Sequence, residues 1–417
     1  MAATVLGSIS LGYQLLWNPL RQLSGVHLFV GMDDPSPVEA LHLLAAITDH
    51  WFEQAPTLLL AVQSQRLLSD LLDHAPLDSP WLEVNNSHLR DPAMAQRVHQ
   101  AHQRGLQLIW RGEPGARPSA ALAPCFARTM LTLSPEEALA GLRVSLRKHN
   151  GNDSARPSRV TSPVRAGHIY ESVASRVLIE HCLDEQNVWG VAGWPMEDVL
   201  HGYRNRRIQP DQRTLVKLIE AIDANQSTDV IEHLMSQEPV LAYGFLRYAN
   251  SAGLGLTTSI ETIRQGLMVL GSVLLRAWLQ EQLPQASSNL NLDPVRSAMV
   301  LRARLMEQLL DAGHHDDLRR EVFMCGLMSQ IDLLLGEPMA DALARIPFPE
   351  RIPLAMLAHD GPYLPYLDLA TALESPNTHA TRVLCDTLDL KLEAVNRALL
   401  RTLSSAGGSP ARGALLA

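Results

Sequence analysis

Residues able to do chemistry are sparse in this 417-residue chain, and their spacing decides what they can do. His314-His315-Asp316-Asp317 sets four metal-capable side chains in a row, after Gly313 and between two apolar segments. Adjacent side chains diverge and rarely converge on one ion. The motif therefore reads as an exposed interhelical loop with helix-capping acids, and no metal site is expected there. A second cluster, Arg204, Arg206 and Arg207 with Arg213 beside Tyr203, could grip a phosphate-rich ligand, because a guanidinium binds phosphate oxygens in pairs. The same residues also read as a solvated linker. No phosphate-cradling glycine loop, HExxH or Gly-x-Ser-x-Gly sequence occurs.

Cys125, Cys182, Cys325 and Cys385 lie far apart with no CxxC pair. That pattern fits reduced thiols in a cytosol better than a disulfide frame or a zinc site. The formal net charge of −9 disfavours broad electrostatic binding of nucleic acid. A content of 46% hydrophobic and 19% charged residues is globular, and the length suits two domains. The first residues, MAATVLGSISLGYQLLW, lack a basic stretch and a cleavage site, so no signal peptide is expected. The longest apolar run, Gly266–Leu275, is too short to span a bilayer and is followed by Arg276. A soluble cytoplasmic protein is expected.

The elements that must position these residues differ between the two halves. Leu58–Val62, Trp81–Val84, Leu106–Trp110 and Thr129–Leu133 read as strands buried on both faces. Ser36-Pro37-Val38-Glu39 and Ser134-Pro135-Glu136-Glu137 read as helix starts, and Asp91-Pro92 as a weaker one. Alternating strand and helix implies a parallel sheet, open or closed into a barrel. His149–Ser162 reads as a polar loop. From Asp211 onward the pattern is helical, with Phe323, Leu327, Ile331 and Leu334 on one helix face.

In the helical half, Glu238-Pro239 opens an apolar helix that ends at Asn250-Ser251. Gly253 and Gly255 permit a turn, and Ser259-Ile260-Glu261-Thr262 opens the next helix, which carries Ile263, Gly266, Leu267, Leu270 and Gly271. This order resembles the HDOD family, a helical output and interaction domain of bacterial signalling proteins. Phe323–Pro338 and Pro347–Leu357, with Asp360-Gly361-Pro362, resemble the later part of HDOD domains joined to EAL-type domains. The family is related in fold to the HD phosphohydrolases, whose adjacent His and Asp bind a metal. The corresponding pair here is Ser329-Gln330, poor ligands both. Nearby Asp332 reads as a hydrogen-bonded or exposed acid.

The first half resembles a decayed EAL domain, the cyclic-di-GMP phosphodiesterase barrel. Gly12-Tyr13-Gln14-Leu15-Leu16 stands where the family has Gly-x-Glu-x-Leu, so Gln14 replaces a metal-ligating Glu. Leu58–Gln63 lacks the ligand Asn. Trp81-Leu82-Glu83-Val84 keeps its ligand Glu83. In Leu108–Glu113, Trp110 and Arg111 stand where the family has paired aspartates. Thr129–Leu133 lacks the catalytic Lys, and Tyr170–Ala174 keeps only Glu171. Gly193-Trp194-Pro195 resembles the barrel-closing segment. Phosphodiester hydrolysis by two metals needs several carboxylates, so the resemblance implies a lost site, with Glu83 and Glu171 as ordinary paired or solvated acids.

Together these readings predict a degenerate EAL-like α/β barrel of TIM-barrel type over residues 1–202 and a linker over 203–210. An all-α HDOD domain of HD-like helical fold follows over 211–403, with a flexible tail over 404–417. The implied function is a non-enzymatic scaffold of bacterial signal transduction that binds signalling proteins, with no cofactor expected. The alternative is an inactive receptor for cyclic-di-GMP or another nucleotide, with Arg204, Arg206 and Arg207 as candidate contacts.

Overall fold

The protein is described from a computed structural model over residues 4–32, 38–149, 161–204, 206–254, 259–310 and 316–406. It divides into two compact units. One gathers the residues up to Pro195 with those from Thr371 onward, and the other spans Met196–Ala370. The sequence reading ran the helical domain on to residue 403, whereas by compactness the stretch from Thr371 groups with the first unit. The contacts within that unit say why: Asn396 Nδ2 donates to the carbonyls of Leu6 at 2.7 Å and Ile9 at 2.8 Å. No helix among the described residues is long and apolar enough to cross a membrane.

The first unit is a closed eight-stranded barrel with strands in sequential order. They are β1 Ile9–Trp17, β2 Leu23–Met32, β3 Thr57–Val62, β4 Trp81–Asn85, β5 Leu108–Gly112, β6 Arg128–Thr132, β7 Ile169–Glu171 and β8 Gly190–Ala192. Strands β2 to β8 pair in parallel, but β1 runs antiparallel to both β2 and β8. The expected sheet is therefore closed but not all-parallel, as a TIM barrel would be. The cause is local. Residues 18–22 are too few for a crossover, so β1 and β2 form a hairpin. Asn18 Oδ1 closes it, accepting from Leu20 N at 2.9 Å and Gln22 N at 3.0 Å.

Three of the expected strands form within a residue of their expected ends. The fourth begins at Leu108 instead of Leu106. Gly105, at φ 93°, ends helix Pro92–Gln103, and Leu106 N donates back to Ala101 O at 3.1 Å. Leu106 thus belongs to the helix's closing turn. The helix start at Ser134 forms a reciprocal cap: Glu137 N donates to Ser134 Oγ at 3.2 Å, and Ser134 N to Glu137 Oε2 at 2.9 Å. Asp91 caps its helix through Ala93 N. Helix Ala40–Thr48 has Glu39 at its N-cap, with no side-chain cap bond. Ser36 and Pro37 lie outside the described residues.

Alternation along the strands fixes what faces inward. Leu16, Leu59, Ile109, Met130, Ile169 and Ala192, with Trp81 and Trp189 against them, form one apolar cluster inside the barrel. Two residues further along, the same faces of β1, β4, β5, β6 and β7 present Gln14, Glu83, Arg111, Thr132 and Glu171. His27 stands opposite Gln14 on β2.

In the second unit, helix Pro239–Ala249 is apolar nearly all round and buried, which marks it as the centre. Glu238 is its N-cap, Pro239 its first residue, and Asn250 its C-cap. Asn250 Oδ1 accepts from Ile260 N at 2.9 Å and its Nδ2 donates to Ile260 O at 2.8 Å, which ties down the connection to helix Ile263–Gln282. A side chain at Gly266 would strike the Phe245 ring, so glycine is what lets these helices touch. Ser251 N donates to Tyr248 O. Ile260 and Leu270 are buried. Gly255 lies outside the described residues. Gly271, at φ 69° and ψ 172°, breaks helix Ile263–Gln282 internally. The expected single helix through Phe323, Leu327, Ile331 and Leu334 is instead two, Asp316–Met328 and Ile331–Leu335. Gln330, at φ −135° and ψ 25°, leaves the helical region between them.

Candidate functional site

The interior residues above the apolar cluster form a closed ionic group. Arg111 Nε and Nη2 each donate to one oxygen of Glu171 at 2.8 Å. Its Nη1 donates to Glu83 Oε1 at 3.1 Å. Thr132 Oγ1 donates to Glu171 Oε1, and His27 Nε2 lies 2.7 Å from Glu83 Oε2. Glu83 is 7% exposed and Glu171 3%. Burial alone would push the Glu83 carboxyl up, but His27 and Arg111 outweigh it and hold the pKa below its ordinary value. Burial would lower Arg111, yet Glu83 and Glu171 hold it above its ordinary value.

This arrangement does not fit a divalent metal. Glu83 and Glu171 turn their oxygens to a fixed guanidinium, a cation already in place, and Gln14 adds no charge. Among the described residues no group of three or more His, Cys, Asp or Glu could hold an ion. The sequence set Arg111 where the resemblance expects an aspartate, but it did not show that the same side chain joins Glu83 to Glu171. It missed His27 and Thr132 altogether; a histidine within the apolar run of β2 was the available signal.

The chain's own later segment packs against two inward-facing glycines of this barrel. A side chain at Gly12 would overlap the carbonyl of Ser375, and one at Gly31 would overlap Thr378 Oγ1. Thr378 is buried at the start of helix Thr378–Thr387. Gly12→Ala should cost about 2 kcal/mol and stay unrelieved by Ser375→Gly, because the obstacle is backbone. Gly31→Ala should be relieved in part by Thr378→Ala, which removes the hydroxyl in the way. Denaturant titration of the variants reads this, and equal rescue at both glycines would rule out the close approach.

A Ser–His–Glu relay also occurs in the barrel unit. Ser162 Oγ lies 2.9 Å from His181 Nε2, and His181 Nδ1 lies 3.0 Å from Glu185 Oε2. The order is that of a hydrolase triad, but His181 is fully buried and Ser162 Oγ accepts Val164 N within its own turn. The relay therefore ties the segment after residue 161 to helical turn His181–Glu185. Trp194 packs edge-on to Trp17 with ring centroids 6.3 Å apart.

The other sequence candidates are not gathered into a site. Arg204 and Arg206 are exposed. Arg207 is also exposed in area, yet its guanidinium lies beside Gly244, and crowding by protein atoms, then Arg247, holds its pKa down. No recorded contact joins the three among the described residues. Arg213 pairs instead with Asp211 and Asp293. At Ser329-Gln330, the pair expected in place of the HD metal ligands, Arg302 Nη1 donates to Ser329 Oγ at 3.1 Å, and Ser329 Oγ donates to Gly326 O at 2.7 Å. Asp332 is half-buried in the first turn of its helix, and burial raises its pKa. His314 and His315 lie outside the described residues.

Comparison with known proteins adds to this geometry. The chain is 24% identical over 198 residues to the cyclic di-GMP phosphodiesterase CdgJ of Vibrio cholerae, covering 47% of this chain and 46% of that protein. It is 26% identical over 166 residues to the uncharacterized protein YuxH of Bacillus subtilis, covering 39% of each. The chain thus spans less than half the length of these curated relatives. A solved structure of the MmoQ response regulator from Methylococcus capsulatus aligns with a TM-score of 0.36 at 15% identity, over 46% of this chain and 98% of that one. Residues 209–346 match the family model of the HDOD domain, so the helical region of this chain carries an HDOD domain.

Proposed function

We propose that this protein is a non-enzymatic component of a bacterial cyclic-di-GMP signalling network, built from a degenerate EAL-type barrel and an HDOD output domain. The observation that carries the reading is Arg111. It holds the two remaining family carboxylates, Glu83 and Glu171, in a buried ion-pair group that needs no metal. Likeness to a protein named as a cyclic di-GMP phosphodiesterase supports the network, and the HDOD match supports an output role. Output through protein contacts is supported by Met268, Val269, Val273 and Leu274, exposed apolar residues around the break at Gly271, with Val273 80% exposed.

Calorimetric titration with cyclic-di-GMP, with and without Mg²⁺, tests the reading. The expected result is no hydrolysis and no binding heat. Binding without cleavage would replace the scaffold by a receptor, whose ligand would stabilise the folded state. Metal-dependent turnover by the purified chain would refute the non-enzymatic reading.

A further inference from the structure

The helical unit carries a cleft of about 290 Å³ whose charges are unevenly matched. At one end Arg264 Nη1 donates to Asp229 and, at 3.0 Å, to Glu232. Further along, Arg304, Arg319 and Arg320 lie around Glu307, with Glu232 also near it and 4.0 Å from Arg320 Nε. Arg319 approaches Glu307 only to 3.6 Å, and its buried Nε has no hydrogen-bond partner among the described residues. Arg304 makes one hydrogen bond, to Gln237 Oε1 at 3.0 Å, and no ion pair within 4.0 Å among the described residues.

A guanidinium carries five N–H donors, so most of those on Arg304 are unused. Burial holds its pKa below the ordinary value, with Glu307 pulling the other way. A half-buried cation with open donors is costly until an anion joins it. The planar fork suits two oxygens of a phosphoryl group. The adjoining wall, Phe323 and Met324, is apolar. The volume suits a small molecule and not a protein segment.

We propose that this cleft binds a phosphate ester of about mononucleotide size. Its phosphoryl oxygens would lie on Arg304, its flat apolar part against Phe323 and Met324, and its hydroxyl or amino donors toward Asp229 and Glu232. The proposal is independent of the barrel reading, because none of these residues belongs to the barrel.

Calorimetry on the full chain with adenosine 5′-monophosphate, inorganic phosphate and adenosine tests it. The monophosphate should bind most tightly, phosphate more weakly, and adenosine least. Arg304→Gln should weaken the monophosphate and phosphate about tenfold or more, with no loss of thermal stability in the absence of ligand. Phe323→Leu should weaken the monophosphate but leave phosphate unchanged. Equal binding of adenosine and its monophosphate would overturn the proposal. So would an unchanged affinity in Arg304→Gln, or no heat from either phosphate compound at about 10 mM.

Discussion

Replacing Arg111 by alanine should destabilise the barrel by about 3–5 kcal/mol, because it leaves two buried carboxylates without their shared counter-ion. For a unit of this size that is a fall in melting temperature on the order of 10 °C. Six of the seven tryptophans, all but Trp278, lie in the barrel unit, so indole emission reports its unfolding. Acid should narrow the difference between variant and wild type. Glu83 has a lowered folded pKa, so its contribution is full above the unfolded value near 4.5. It is lost as pH falls through the lower folded value. Wild type therefore loses stability in that acid window, while in the variant protonation of Glu83 relieves a buried charge that has lost its Arg111 partner. An Arg111→Ala penalty that stays constant from neutral pH into that window would contradict the ion-pair account. Glu171→Gln should cost less than Arg111→Ala, since Arg111 keeps Glu83 and one amide oxygen.

What the sequence revealed follows from the range of the forces involved. Strands β3 to β6 were legible because helices cover one face and the barrel interior the other, which leaves nearly unbroken apolar runs. Strands β7 and β8 have three residues each, too few to show a pattern. The antiparallel β1 depends on a hairpin whose partner strand, Leu23–Met32, was not recognised. The signature residues of the helical unit were legible because their roles are local. Asn250 bonds the backbone ten residues on, and Gly266 admits a neighbouring ring. The scarcity of acids in the barrel strands was legible, but the ion-pair group inside the barrel was not. Arg111 meets Glu83 and Glu171 only after the barrel closes, since those contacts join residues far apart in the chain. Ser375 and Thr378 reach Gly12 and Gly31 in the same way, so no sequence window could hold both partners.

The helical unit offers a buried pair with the opposite electrostatic sign. Arg296 Nε lies 2.7 Å from Glu238 Oε1, and both side chains are almost wholly buried. That contact favours the ionised carboxylate, but burial outweighs it and raises the Glu238 pKa, with Arg296 and the Leu241 N–H only partly offsetting. An acid with a raised folded pKa binds its proton more tightly in the native state, so its contribution declines as pH rises above the unfolded value, the reverse of Glu83. Glu238→Ala should nevertheless cost about 3–5 kcal/mol, because Arg296 stays buried and, among the described residues, keeps only Gln209 O at 2.9 Å and the more distant Asp293 as partners. Loss of the cap at Leu241 N adds about 1 kcal/mol. The double variant Glu238→Leu with Arg296→Met should recover most of this, since removing both charges removes both desolvation costs. Far-ultraviolet circular dichroism of the helical transition measures each variant. If the double variant is no more stable than Glu238→Ala alone, the pair is net stabilising and burial does not dominate at Glu238.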